Sequence, residues 1–96
     1  MKRKRFTRPP NMTRMGKYIY NTMFDCNIDF EDMANGLGTT ATTIRGYLIK
    51  PVIPTKRIFE MCSILANTKT EYDQMVAYCI THLPEYNKTY WRYNND

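Results

Sequence analysis

The run Phe30-Glu31-Asp32-Met33-Ala34-Asn35-Gly36-Leu37-Gly38-Thr39-Thr40-Ala41-Thr42-Thr43-Ile44 constrains the fold of this chain more than any other stretch. Met33, Ala34 and Leu37 recur at the three-and-four spacing of a buried helical stripe. Gly38 follows, the residue type that most readily takes the left-handed conformation ending a helix. Thr39 or Thr40 can then cap a second helix, from which Ile44 drops back onto the first stripe. The segment therefore reads as a helix, a glycine turn and a second helix. An ordinary helical hairpin in a small core has the same ingredients, but the small Ala34 favours two helices that cross closely.

A chain of 96 residues is one domain with a modest core, too small for an added catalytic cavity, so a binding module is expected rather than an enzyme. No apolar run approaches the roughly 18 residues of a membrane span, and the basic start lacks the apolar stretch of a secretory signal. A soluble cytoplasmic protein with no membrane partner is expected. Cys26, Cys62 and Cys79 are odd in number and each falls on an apolar helical stripe, which suits reduced core thiols. With His82 the sole histidine, and more naturally a helix-end residue than a ligand, neither a metal site nor a cofactor is expected. No catalytic residues stand out: the chain shows no phosphate loop, acid/base pair or nucleophile motif.

The net charge of +5 is unevenly distributed. Lys2, Arg3, Lys4, Arg5 and Arg8 precede every acidic residue, and the remaining 9 basic residues balance 9 acids. A basic arm of this kind neutralises phosphates and releases counterions, giving sequence-independent affinity that salt weakens. A solvated tail that aids solubility is the alternative.

Pro9 and Pro10 favour extended backbone and set off an arm over residues 1–11 from a domain over 12–83. Helix one is predicted to begin after Asn11 or Thr13, to bury Met15, Tyr18, Ile19, Thr22, Met23 and Cys26, and to end near Asn27. Asp29 is the expected cap of helix two, which runs to about Leu37; helix three extends to about Leu48. Lys50 to Pro54 reads as a loop. Thr55 is the expected cap of helix four, with Ile58, Met61, Cys62 and Leu65 inward. Thr70 with Asp73 resembles a weak capping box for helix five, whose stripe is Tyr72, Met75, Val76, Cys79, Ile80 and Leu83. Pro84 stops it, and an aromatic tail fills 84–96.

This arrangement resembles the Cro and repressor class of phage or mobile-element helix-turn-helix proteins, with the lambda-repressor-like fold. The likeness covers roughly residues 14–66 and rests on Met33-Ala34, Leu37-Gly38-Thr39-Thr40 and Thr43-Ile44, then on Pro54-Thr55 opening a helix with Ile58, Met61 and Leu65. It implies an all-α, compact five-helix domain whose second motif helix enters the major groove of DNA. Carried over by position, Thr40, Ala41, Thr42, Arg45 and Gly46 face the bases, with Arg45 the best reader because its fork can bond both acceptors of a guanine. Ala41 offers only contact with a thymine methyl. Arg14, Lys17, Lys50, Lys56 and Arg57 fall on the family's backbone-facing side, and Lys2, Arg3, Lys4, Arg5 and Arg8 resemble the arm some phage repressors wrap around the duplex.

The sequence also departs from that family. Asp29 and Phe30 stand where relatives commonly use neutral polar groups to hold a phosphate, Gly46 brings no side chain, and Leu48-Ile49-Lys50 replaces a frequent Glu-Asn-Gly ending. Phe30, Leu48 and Ile49 belong either to the core or to a protein interface. Tyr90, Trp91 and Tyr93 in the tail suit packing onto helix five or a dimer contact. The first functional expectation is therefore a transcriptional regulator that binds double-stranded DNA as a homodimer. The second is a regulator that binds another regulatory protein, such as an antirepressor or an inhibitor of a host or defence protein, on a scaffold with weakened DNA readout.

Overall fold

A computed structural model describes residues 8–50 and 53–82, which form five helices and no strand. Helix α1, Arg14–Cys26, starts where the Thr13 hydroxyl accepts from the N–H of Gly16, and ends at Asn27 in the left-handed conformation, φ 56°. Met15, Ile19 and Met23 form its fully buried stripe, as the spacing predicts, while Tyr18 and Thr22 are half-buried. Gly16 and Tyr20 are also buried. Cys26 corrects the expectation of three core thiols, because it is exposed. It keeps the direction of the stripe, but the last turn of α1 reaches the rim of the core, where the sulfur points at the Leu65 carbonyl 3.8 Å away.

Helices α2 (Phe30–Leu37) and α3 (Ala41–Ile49) are joined by Gly38 at φ 69°, whose N–H bonds to the Ala34 carbonyl. Of the two threonines that could cap α3, Thr40 does so. Met33, Ala34 and Leu37 are buried with Ile44 in one core, which also takes Ile58, Met61 and Leu65. Helix α2 packs on α3 and α4, α1 on α3 and α4, and α5 chiefly on α4. Full burial of each such aliphatic or methionine side chain favours folding by about 1.5–3 kcal/mol. This shared core, more than helix propensity, holds the short α2 and α3 in place.

Two helix starts differ from expectation. Helix α4, Thr55–Leu65, is preceded by Pro54 without a side-chain cap. The Pro54 carbonyl accepts from both Arg57 N and Ile58 N, drawing Thr55 into the helix, where its buried hydroxyl has no hydrogen-bond partner among the described residues. Helix α5, Lys69–Thr81, is capped by Thr68 rather than Thr70. Thr68 accepts from Glu71 N at 3.1 Å, Glu71 reaches back to Asn67 N at 2.9 Å, and Asp73 instead pairs with Lys69. The reciprocal bonds lie two residues earlier because Glu71 is long enough to span the turn. Val76 and Ile80 are half-buried and Met75 and Cys79 fully inside, while Leu83 and the aromatic tail lie outside the described residues. None of the helices described is long and apolar enough to cross a membrane.

Candidate nucleic-acid interface

The start of α2 is a closed capping box. Asp29 accepts from Asp32 N at 2.8 Å and Asp32 accepts from Asp29 N at 3.1 Å. The two carboxylates thereby engage two N–H groups at the helix start and put negative charge where a phosphate would bind, and exposed Glu31 adds a third. Helix α3 begins with its own tie. Thr40 Oγ1 accepts from Thr43 N at 3.3 Å and lies 3.0 Å from Thr43 Oγ1, so the Thr40 hydroxyl is engaged in capping.

Beyond the cap, Ile44, Tyr47 and Leu48 turn α3 inward. The other side carries exposed Thr42 with half-buried Gly46, and half-buried Arg45 lies at its flank; Ala41 corrects its expected place among the base readers, because it falls on the face of Ile44 and Leu48 and packs against the core. The Arg45 guanidinium carbon stands 5.3 Å from the centroid of the Phe30 ring. Phe30 lies 6.2 Å from Tyr20, and the Arg8 guanidinium carbon stands 5.4 Å from the Tyr20 centroid. Two arginines thus flank a pair of buried rings, linking the end of the arm to α3 by cation–π contact. Pro9 is buried, so the folded body reaches back into the proline pair. The sequence signal for this relay was present in Tyr20, which sits one residue after the α1 stripe, but helical spacing alone gave no reason to pair it with Phe30.

Gly46 leaves room that another side chain fills. A methyl group there would meet the Lys50 side chain at 3.3 Å, so Lys50 folds back along α3 over the bare position. Arg14, Lys17, Lys50 and Lys56 are exposed. Thr13 N donates to the Leu48 carbonyl at 3.0 Å, which brings the first turn of α1, with Arg14 and Lys17, to the same end of α3 as Lys50. Arg57 is different: its Nη1 donates to the Leu37 carbonyl at 2.9 Å and to Glu60 at 3.2 Å, closing the C-terminal end of α2. It is half-buried and tied to the fold by these bonds.

Phe30 and Leu48 are core residues, 7% and 0% exposed, which decides for the core against the protein interface that the sequence also allows. Phe30 is drawn in by Tyr20 and Leu48 by the close docking of α1. Ile49, at 42%, is the large exposed hydrophobic residue among those described. Lys2, Arg3, Lys4, Arg5, Tyr90, Trp91 and Tyr93 lie outside the described residues. Among the described residues no group of three or more His, Cys, Asp or Glu side chains is placed to hold a metal, and His82 packs against the Tyr78 ring at 4.3 Å. Comparison with protein-family models, curated proteins and solved structures gives no match to this chain.

Proposed function

We propose that this protein is a sequence-specific double-stranded DNA-binding regulator with a lambda-repressor-like fold, which lays α3 in the major groove and binds a two-fold site as a homodimer. The observation that carries this reading is the outer side of α3. Thr42 and Arg45 sit there beside the folded-back Lys50, with Arg14 and Lys17 docked at the same end of the helix. A planar donor fork supported by an aromatic ring suits guanine, and the flanking cations suit phosphates on either side of the groove. Fold likeness contributes only analogy, so the weight rests on these side chains.

One observation favours the rival reading, a regulator that binds another protein. Asp29, Glu31 and Asp32 put negative charge at the start of α2, next to Phe30 and the Arg45 it supports. Against it, burial of Phe30 and Leu48 leaves Ile49 as the large apolar side chain exposed there. Duplex binding measured by fluorescence anisotropy across a salt series, on a selected site and on random duplex, separates the two. A site preference that persists at high salt supports direct readout. Equal affinity for both duplexes at every salt concentration would leave only nonspecific phosphate attraction.

A further inference from the structure

The sulfurs of Cys62 and Cys79 lie 3.9 Å apart across the α4–α5 interface, and both residues are fully buried. The third cysteine, Cys26, is turned toward Leu65 at the end of α1, so these two form a separate pair. We propose that Cys62 and Cys79 are a reversible disulfide site, closed by thiol–disulfide exchange with a small-molecule disulfide when α5 opens. The inference is independent of the DNA reading.

Two geometric facts carry it. The sulfurs already meet, so a bond of about 2.05 Å requires an approach that side-chain rotation and a slight shift of α5 supply. Access requires opening, because neither residue is exposed, and α5 is the helix best able to open since it packs chiefly on α4. In the closed pair either thiol can donate to the other, and once α5 opens one of them, written here as Cys62, ionises to the thiolate. Its thiolate attacks one sulfur of the oxidant, whose S–S bond breaks and releases a first thiolate that takes up a proton. Cys79 then gives its proton to solvent and attacks the Cys62 sulfur of the mixed disulfide, expelling the second thiolate. The protein loses two electrons and two protons, and the oxidant becomes two thiols. The closed bond ties α5 to the helix that carries Lys56 and Arg57.

The test uses the full chain with Cys26→Ser, so that two thiols remain. It is incubated natively with oxidised and reduced glutathione at a series of ratios, alkylated under denaturing conditions and weighed. Both thiols should disappear together, leaving a chain lighter by two hydrogens with a Cys62–Cys79 linked peptide that a dithiol reductant releases. The oxidised form should melt about 10 °C higher, since the closed loop restrains the unfolded chain. Thr68→Ala, which removes the α5 cap, should speed closure several-fold on the same background. Two free thiols at the most oxidising ratio even with Thr68→Ala, a glutathione adduct that never resolves, or a lower melting point after closure would each overturn the proposal.

Discussion

The α-carbon of Gly16 stands so close to the backbone carbonyl of Leu48 that a methyl group on Gly16 would overlap the oxygen. The same oxygen accepts from Thr13 N at 3.0 Å, with the Thr13 hydroxyl 3.5 Å away. A helix start and a helix end are thus pinned together at a position where only glycine fits. This contact sets where Arg14 and Lys17 stand relative to the outer side of α3.

Gly16→Ala should therefore destabilise the protein by about 1–3 kcal/mol, because a backbone carbonyl cannot swing away as a side chain can. The loss should appear despite the better helix propensity of alanine, which is worth up to about 1 kcal/mol. Gly36→Ala is the control: its methyl would meet the flexible end of the Ile64 side chain and no backbone, so propensity and contact should nearly cancel. Urea denaturation of the two variants checks the contrast.

What the sequence made legible was local. Met33, Ala34, Leu37 and Ile44 lie on the stripes their spacing describes, and Gly38, Thr40 and Asp29 act at the ends of their helices as their chemistry suggests. Such features depend on neighbours within one or two turns. Gly16, Tyr20 and the Phe30–Arg45 contact depend on residues at least ten positions away, where one-dimensional spacing carries no partner information. Cys26 is exposed although it falls on the stripe, because periodicity gives the direction of a side chain and not how far the core extends along the helix. Spacing does not separate Pro54 from Thr55 or Thr68 from Thr70, because nearby capping residues compete and the outcome depends on which carbonyl or carboxylate can reach the free N–H groups.

Arg57 and Lys56 should behave differently although they are neighbours. Arg57→Ala removes a charged donor from the Leu37 carbonyl and should cost about 1 kcal/mol of stability, part of the bond being solvent-exposed. Lys56→Ala should leave stability within about 0.5 kcal/mol. If DNA is the partner, Lys56→Ala should lower the salt slope of binding by about 1 while Arg57→Ala changes it less. Denaturation and salt-series titration on the same preparations separate the two roles.

Thr40 acts first as a cap. Thr40→Ala should cost about 0.5–2 kcal/mol by freeing Thr43 N, and Thr40→Ser should recover most of it. Thermal melts of the pair test this, and equal stability of the alanine and serine variants would assign the hydroxyl no capping role.

Alkaline pH should destabilise the protein. Burial raises the Tyr18 phenol, with added repulsion from Cys79, Cys62 and Tyr78. The phenol is raised in the folded state, so the unfolded chain releases this proton first. Its stabilising effect is complete below the unfolded value, about 10 for a phenol, and is lost as pH rises through the folded one. Melting points should fall from about pH 10 upward, and Tyr18→Phe should reduce that fall.

The central claim is that Arg45 reads a base from the outer side of α3. Its most direct measurement is selection of bound sequences from random duplexes by the wild type and by Arg45→Ala, followed by affinities on the winning site. The expected result is a defined site for the wild type and a loss of about 1–3 kcal/mol for Arg45→Ala, with preference relaxed at one base position and a smaller effect from Thr42→Ala. An unchanged selected sequence bound with full affinity by Arg45→Ala, or no selected sequence for the wild type, would contradict it.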